Sequence, residues 1–270
     1  MSWIIFIIML FLFLESENHA AADEKKAEHN EMIQLRIMSY NIHHGEGEDG
    51  IQDLERISDI VRKSNIDIIG IQEVEKHWSQ RTFFEDQAKM IANRLGMYYT
   101  YAANLDKKPL REGEPRRQYG TAILSKYPIV ASNHHLLTKS GKNEQRGLLE
   151  TIININGVYL NFYNVHLALT IAEREAQVRE ILDIVNQSNG PKIIVGDFND
   201  TPDSNIIKRM KLIYHDVFAE NNKPTFPAKE PQMRIDYIFI SKELKVIESN
   251  VIRTFASDHV PISAVIGMNP

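Results

Sequence analysis

The sequence predicts an α/β domain in which helices cover more than one β-sheet. Three observations carry this. Short, unbroken apolar runs such as DIIGIQE and KIIVGDFN have the pattern of buried strands, and amphipathic stretches of helical period flank them. The middle of the chain, from Met97 to Leu167, reads as successive strands and loops, which requires a second sheet. No repeat period and no long polar linker interrupts residues 35–268, so that span is one domain.

Before that domain, residues Trp3 to Leu14 read WIIFIIMLFLFL, an uncharged apolar run. A helix of that length reaches about 18 Å, well short of the roughly 30 Å hydrocarbon core of a bilayer. Small residues follow at Ala20, Ala21 and Ala22. The pattern predicts a signal peptide over residues 1–22, with an uncleaved membrane anchor as the alternative, because no Lys or Arg precedes the run. Residues 23–34 read as a polar linker. The chain has no cysteine, which with a signal peptide points to a bacterial protein that is secreted or held on the extracellular side of the membrane and folds without disulfides.

The domain opens with the strand LRIMSYNI, where Leu35, Ile37 and Ser39 alternate with Arg36 and Met38, and continues into the glycine-rich loop HHGEGEDG. A first helix is predicted from Asp53 to Lys63, with Leu54, Ile57, Ile60 and Val61 on one face. After the strand DIIGIQE, Thr82 and Glu85 have capping-box spacing for a second helix with the stripe Phe84, Ala88, Ile91 and Leu95, ended by Gly96. Strands follow at YYTYAA, YGTAILS, IVASNHHLL, GLLETIIN and VYLNFYNVHL. A second capping box, Thr170 and Glu173, opens a helix predicted to end near Asn189–Gly190. The remaining strands are KIIVGDFN, RIDYIFI, a weaker KVIESNVI, and VPISAVIG.

Polar groups cluster where these apolar strands give out, which is where α/β sites form. Asn41 follows LRIMSY, Glu73 follows IIGIQ, and Asp197 and Asn199 end IIVGDFN; Asp258 and His259 precede VPISAVI. Each alone has an ordinary reading as a turn or capping residue. His166, inside YNVHL, and Asp236, inside RIDYIF, do not: a charge in apolar strand sequence needs a partner to offset its desolvation. Carboxylates and an amide oxygen are hard ligands suited to magnesium, manganese or calcium. His43 and His44 are adjacent rather than four apart, so spacing gives no zinc signature.

Six blocks in one order, MSYNI at 38–42, IIGIQEV at 68–74, NVHL at 164–167, GDFN at 196–199, RIDYIFI at 234–240 and SDH at 257–259, resemble the endonuclease/exonuclease/phosphatase superfamily. That group includes pancreatic-type deoxyribonuclease, neutral sphingomyelinase and inositol-polyphosphate phosphatase. The resemblance implies a four-layer α/β/β/α sandwich with two packed mixed sheets, deoxyribonuclease I-like, and a phosphoester hydrolase dependent on Mg2+, with Mn2+ or Ca2+ as alternatives. It implies that Asn41 and Glu73 stand at the metal site with Asp258. His166 matches the histidine that contacts the phosphate and is a candidate to protonate the leaving group. Asp197 and Asn199 match the pair that positions or deprotonates water, and Asp236 the acid that orients His259. The general base is left open between Asp197 and the histidine pair. Arg146, in QRGLLE, resembles a substrate-facing arginine.

Substrate is less legible. Thirty-one basic against thirty-six acidic residues give a formal charge of −5, which disfavours nucleic acid as the partner. The exception is KKPLREGEPRR at 107–117, a candidate basic lid or an ordinary solvated loop. His44, Trp78 and Arg81 are candidate pocket walls, with His44 expected to bind substrate. NIHHGEGEDG, EVEKHWSQRTFFEDQ and RGLLE are similar to a bacterial branch related to proteins of glycolipid-anchor remodelling. The expectation is a phosphodiesterase on a small or lipid-linked phosphodiester. The alternatives are a nuclease, a phosphomonoesterase and an inactive interaction module. A monomer without an obligate protein partner is expected.

Overall fold

The computed structural model describes residues 32–269. The expected signal peptide and nearly all of the expected linker lie outside the described residues. The first strand starts at Ile33, two residues inside the span read as linker. No helix among the described residues is long and apolar enough to cross a membrane.

Among the described residues, twelve strands form two six-stranded sheets. They are β1 (Ile33–Asn41), β2 (Ile68–Lys76), β3 (Tyr98–Lys107), β4 (Arg117–Ser125), β5 (Ile129–Leu136), β6 (Gly147–Ile155), β7 (Val158–His166), β8 (Lys192–Asp197), β9 (His215–Asp216), β10 (Asp236–Ile240), β11 (Lys245–Val251) and β12 (Ile262–Met268). One sheet runs β11-β12-β1-β2-β4-β3 and the other β5-β6-β7-β8-β10-β9. Each is antiparallel except for its central pair: β1 with β2, and β7 with β8, are parallel. A parallel pair needs a crossover. Helix α1 (Leu54–Lys63) makes the first and α3 (Ile171–Val185) the second, while α2 (Gln87–Leu95) and α4 (Asn205–Lys211) complete the outer layers.

Three apolar cores separate four layers, as the resemblance implied. Leu35, Ile37, Ile68, Phe162, Ile193, Val195 and Ile238 pack between the sheets. Met38, Tyr40, Ile69 and Ile71 face α1 and α2 through Leu54, Ile57 and Ile91. Tyr163, Val165 and Ile194 face α3 and α4 through Val178, Ile181 and Ile207. The sheets approach closely at Gly70, where an added Cβ would lie 2.4 Å from Val195 and 2.9 Å from Asn164. Any side chain there would force the sheets apart.

Two helix boundaries differ from the sequence reading. α2 starts at Gln87, and Asp86, not Thr82, caps it by accepting from the Lys89 N–H at 3.2 Å. The Thr82 hydroxyl instead donates to the buried Glu75 carboxylate at 2.6 Å, and Phe83 and Phe84 take left-handed φ of 52° and 55°, which ends helical continuity. Thr170 does cap α3, but its hydroxyl bonds to the Glu173 carboxylate at 2.6 Å rather than to a backbone N–H. Glu173 in turn receives the Ser140 N–H at 2.5 Å. α3 ends at Val185, short of Asn189, and α4 and β9 had no clear periodic signal.

Candidate active site

Strand alternation aims most of the site. In β1, Leu35 and Ile37 point into the inter-sheet core, so Asn41, on the same parity, points there too. The same period-2 logic carries His166 from Leu160 and Phe162, Asp197 from Ile193 and Val195, and Asp236 from Ile238 and Ile240. All four occupy one end of the sandwich, at the carboxyl ends of the central parallel strands and the amino end of β10. Register confirms the meeting: His166 pairs with Asp197, and Asp197 with Asp236.

Glu73 arrives differently. Regular alternation from Ile69 and Ile71 would send it into the helix layer. Between Ile71 and Val74 the β2–β4 register shifts by one residue, and Glu73 takes φ 60°, a bulge that re-aims the carboxylate toward the site. The backbone carbonyls around this bulge are not left bare. Asn164, from β7 across the sheet interface, donates its amide to Ile71 O and Ala122 O at 2.9 Å each and accepts from Gln72 Nε2 at 2.7 Å. The opposite sheet therefore holds the bulge in place. On the loop before β12, the Ser257 hydroxyl donates to Asn41 O at 2.7 Å, pinning Asp258 and His259 to the end of β1.

These side chains line a cleft of about 540 Å3 that includes Glu73, Tyr119, Arg146, His166, Asp197, Asn199, Asp258 and His259. Its hub is Asp197 Oδ2. Asn41 Nδ2 donates to it at 3.1 Å, His166 Nε2 lies 3.5 Å away and His259 Nε2 3.7 Å. Asp197 Oδ1 accepts the Asn199 N–H at 2.8 Å. Behind His259, Nδ1 bonds to Asp236 Oδ2 at 2.9 Å, and the Phe226 ring packs on the imidazole at 4.7 Å. Asp197, Asp236 and His259 are 1%, 1% and 4% exposed.

Burial at this depth separates the proton affinities. Burial opposes a charge on His259, but the carboxylates of Asp236, Asp197 and Asp258 outweigh it and push the ring up to about 10. Burial, with the charge of Asp236, pushes Asp197 up to about 7 against the pull of His259 and of its hydrogen bonds. Burial, then Arg146 and His259, hold His166 well below the ordinary imidazole range. The Arg146 Nη1 lies 2.9 Å from His166 Nδ1. A guanidinium only donates, so Nδ1 is the acceptor and the ring proton sits on Nε2, facing Asp197. His166 therefore presents a neutral Nε2–H toward Asp197. Arg146 also pairs with Glu144 at 2.9 Å, and its Nε is buried without a partner among the described residues.

Asn41 and His44 are placed differently. Asn41 Oδ1 accepts the His43 N–H at 3.1 Å, which turns Nδ2 toward Glu73 Oε1 at 3.0 Å and Asp197. In this orientation the Asn41 amide holds two carboxylates in place at the cleft. His44 is 5% exposed, its Nε2 faces Glu46 at 3.4 Å, and its carbonyl accepts from Gln87 at 2.6 Å. It packs the loop and does not line the cleft. His43 is the one near the site, with Nδ1 4.0 Å from Asp258 Oδ1. Arg81 is engaged by buried Glu75. Tyr119, which sequence reasoning missed, lines the cleft; burial and then the Glu73 charge hold its hydroxyl protonated well above the usual phenol range. An aromatic in a strand ordinarily signals core, so nothing local distinguished it.

The donor chemistry fits a hard divalent cation. Glu73, Glu144, Asp197, Asp200 and Asp258 line the cleft with the cations Arg146 and His259, and behind His259 the Asp236 Oδ1 is buried without a partner among the described residues. Oxygen donors with excess negative charge suit magnesium-like ions. Ligand-type atoms of Asp197, Asp236 and His259 also lie within 4.8 Å of one another, but the Asp236–His259 hydrogen bond occupies two of them. Glu73 and Asp258 line the same cleft and are the further candidate ligands.

Comparison with known proteins agrees with this architecture. Protein cwh43 of Schizosaccharomyces pombe is 30% identical over 145 residues, which is 52% of this chain and 14% of that protein. The chain thus spans a small part of that relative's length. A crystal structure of an endonuclease/exonuclease/phosphatase from Beutenbergia cavernae superposes with a TM-score of 0.74 at 21% identity, covering 87% of this chain and 72% of that one. A mannosyl-6-phosphatase of Bacteroides thetaiotaomicron superposes at 0.68 with 21% identity, covering 86% and 99%. Residues 38–259 match the pattern of the Endonuclease/Exonuclease/phosphatase family, from the SYN end of β1 to His259, and the chain belongs to that family of phosphoester hydrolases.

Proposed function

We propose that this chain is a divalent-metal-dependent phosphodiesterase acting on a small or lipid-linked phosphodiester. One observation carries the reading: within one cleft, His166 Nε2 and His259 Nε2 converge on Asp197 Oδ2 at 3.5 and 3.7 Å, with Asp236 bonded behind His259 and burial with neighbouring charges driving the three groups' proton affinities apart. That is the division of labour phosphoester hydrolysis needs. Asp197, nearest to neutrality, takes the proton of the attacking water as that oxygen bonds to phosphorus and the bond to the leaving oxygen breaks, and the leaving oxygen takes its proton from solvent. Asn199, fixed by its own amide donating to Leu167 O at 2.9 Å, positions that water. His259, held charged by Asp236, offsets negative charge growing on the phosphoryl oxygens. His166 Nε2–H and the unpartnered Nε of Arg146 donate to the same oxygens. Glu73 and Asp258 are the residues that would hold magnesium, or manganese or calcium in its place, and the ion supplies positive charge to the phosphoryl group when bound. The formal charge of −5 supports a compact substrate over a nucleic acid, where Lys and Arg contacts to successive phosphates dominate affinity. The apolar run Trp3–Leu14 supports export, and the enzyme is read as a monomer.

Likeness to a mannosyl-6-phosphatase supports phosphomonoester cleavage as the second reading. Hydrolysis of bis(p-nitrophenyl) phosphate separates the two from the start. It is expected to stop in chelator and return with magnesium or manganese, and Glu73→Gln is expected to abolish the return. Undiminished hydrolysis in chelator overturns the metal assignment. A panel of duplex DNA, RNA, sphingomyelin, glycerophosphodiesters, inositol phosphates and mannose 6-phosphate then ranks the substrates, and preference for duplex DNA or for the monoester overturns the proposed class.

A further inference from the structure

Two stretches that the hydrolytic chemistry leaves unused enclose a second cleft of about 600 Å3, large enough for a sugar ring or a short acyl chain. His77 and Phe84, from the segment after β2, form one wall, and Leu110, Arg111, Pro115 and Arg117, from the β3–β4 connection, form the other. A short chain of contacts links this cleft to the catalytic one. Tyr119 lines the catalytic cleft with Glu73, and its ring packs at 5.7 Å on Trp78, the neighbour of His77. Arg117 and Tyr119 are two apart on β4, so they share a sheet face about 7 Å apart.

The charges there are uneven. Arg111 faces Glu114 at 4.0 Å, and Arg116 pairs with Asp106 at 2.7 Å. Among the described residues Lys107 and Arg117 have no such carboxylate partner. Lys107 lies over the Trp78 ring at 4.3 Å. Arg117 Nε donates to Lys108 O at 3.1 Å, which anchors one edge of the guanidinium and leaves its outer donors available. Glu114 also lines the cleft but is matched by Arg111, so one uncompensated cation in the lining, Arg117, with a second beside it, Lys107, stands against an apolar wall, a recognition pattern for a ligand that is both apolar and anionic.

We propose that this cleft is a second binding subsite for an amphipathic anion, with an apolar body against Phe84, Leu110 and Pro115 and a negatively charged group on Arg117 at its edge, within the field of Lys107 held over the neighbouring Trp78. The claim that this anion belongs to the same molecule as the scissile phosphate rests on the hydrolase reading; binding in the cleft does not. The substrate class is then a phosphoester whose remainder carries a second acidic group.

Trp78, next in the chain to the cleft residue His77 and packed on Tyr119, reports on the wall of the cleft. The chain has two tryptophans, and Trp3→Phe leaves Trp78 alone. Octyl phosphate, below its micellar range and in chelator, is titrated against Trp78 emission. The expected result is a saturable change, with octyl glucoside and inorganic phosphate each at least ~10-fold weaker, since each offers one half of the recognition. Arg117→Ala and, independently, Lys107→Gln are each expected to raise the octyl phosphate Kd by about 10-fold. No saturable change, equal binding of octyl glucoside, or a Kd unmoved in both variants overturns the subsite. Metal-dependent turnover of bis(p-nitrophenyl) phosphate is measured on the same preparation. Turnover without octyl phosphate binding refutes the subsite alone, and binding without turnover refutes the hydrolase reading alone.

Discussion

Replacing Asp236 by Asn removes one charge and almost no volume, which makes it the sharpest probe of the site. The carboxylate lies 2.9 Å from His259 Nδ1 and is 1% exposed. At that separation the pair's attraction is about 6 kcal/mol at an effective dielectric of 20 and about 1.4 kcal/mol in bulk water. If His259 must be charged when negative charge grows on the phosphoryl oxygens, losing its principal partner reduces turnover by roughly one to four decades. A loss of at least ~10²-fold in kcat is expected, toward the middle of that range. Stability responds less, by about 1–3 kcal/mol, because the amide oxygen still accepts from Nδ1 and the ring can become neutral. The assay measures kcat and the denaturant midpoint together on Asp236→Asn, His259→Ala and the double variant. If the two residues act as a unit, the double variant is impaired much less than the product of the singles. Near-wild-type turnover in Asp236→Asn, with the midpoint lowered by the expected amount, would show a purely structural pair and refute the reasoning.

Three other outcomes are expected. In the metal-free protein, nuclear magnetic resonance of the imidazole nitrogens should find His259 still protonated at pH 8 and His166 neutral with its proton on Nε2 at pH 6, because carboxylates raise the first and burial with Arg146 lowers the second; a protonated His166 at pH 6 contradicts the donor role. Gly70→Ala should lower stability by about 1–3 kcal/mol in denaturant unfolding, as its Cβ would meet Val195 at 2.4 Å, and an unchanged midpoint would show that the sheets separate freely. N-terminal sequencing of exported protein should begin just after Ala20–Ala22, whereas full-length chain in the membrane fraction would indicate an anchor.

The sequence by itself determined the layers and most of the inward-facing chemistry. Alternation along a strand has a period of two, so once Leu35 and Ile37, Ile193 and Val195, or Ile238 and Ile240 are assigned to the core, Asn41, Asp197 and Asp236 must share that face. The start of α1 at Asp53 is local in the same sense: its carboxylate accepts the N–H of Glu55, two residues on. Tertiary structure decided whatever depends on a partner distant in sequence. Thr82 has the spacing of a helix cap, yet buried Glu75 recruits its hydroxyl. Glu73 reaches the site through a bulge whose carbonyls Asn164 satisfies from the opposite sheet, 93 and 42 residues away. Adjacent His43 and His44 are indistinguishable in sequence, but the first lies beside Asp258 while the second is buried in the loop. The tautomer of His166 follows from Arg146, on another strand. Local sequence sets which face a side chain occupies; the proton it carries and the oxygen it offers are set by what the fold brings against it.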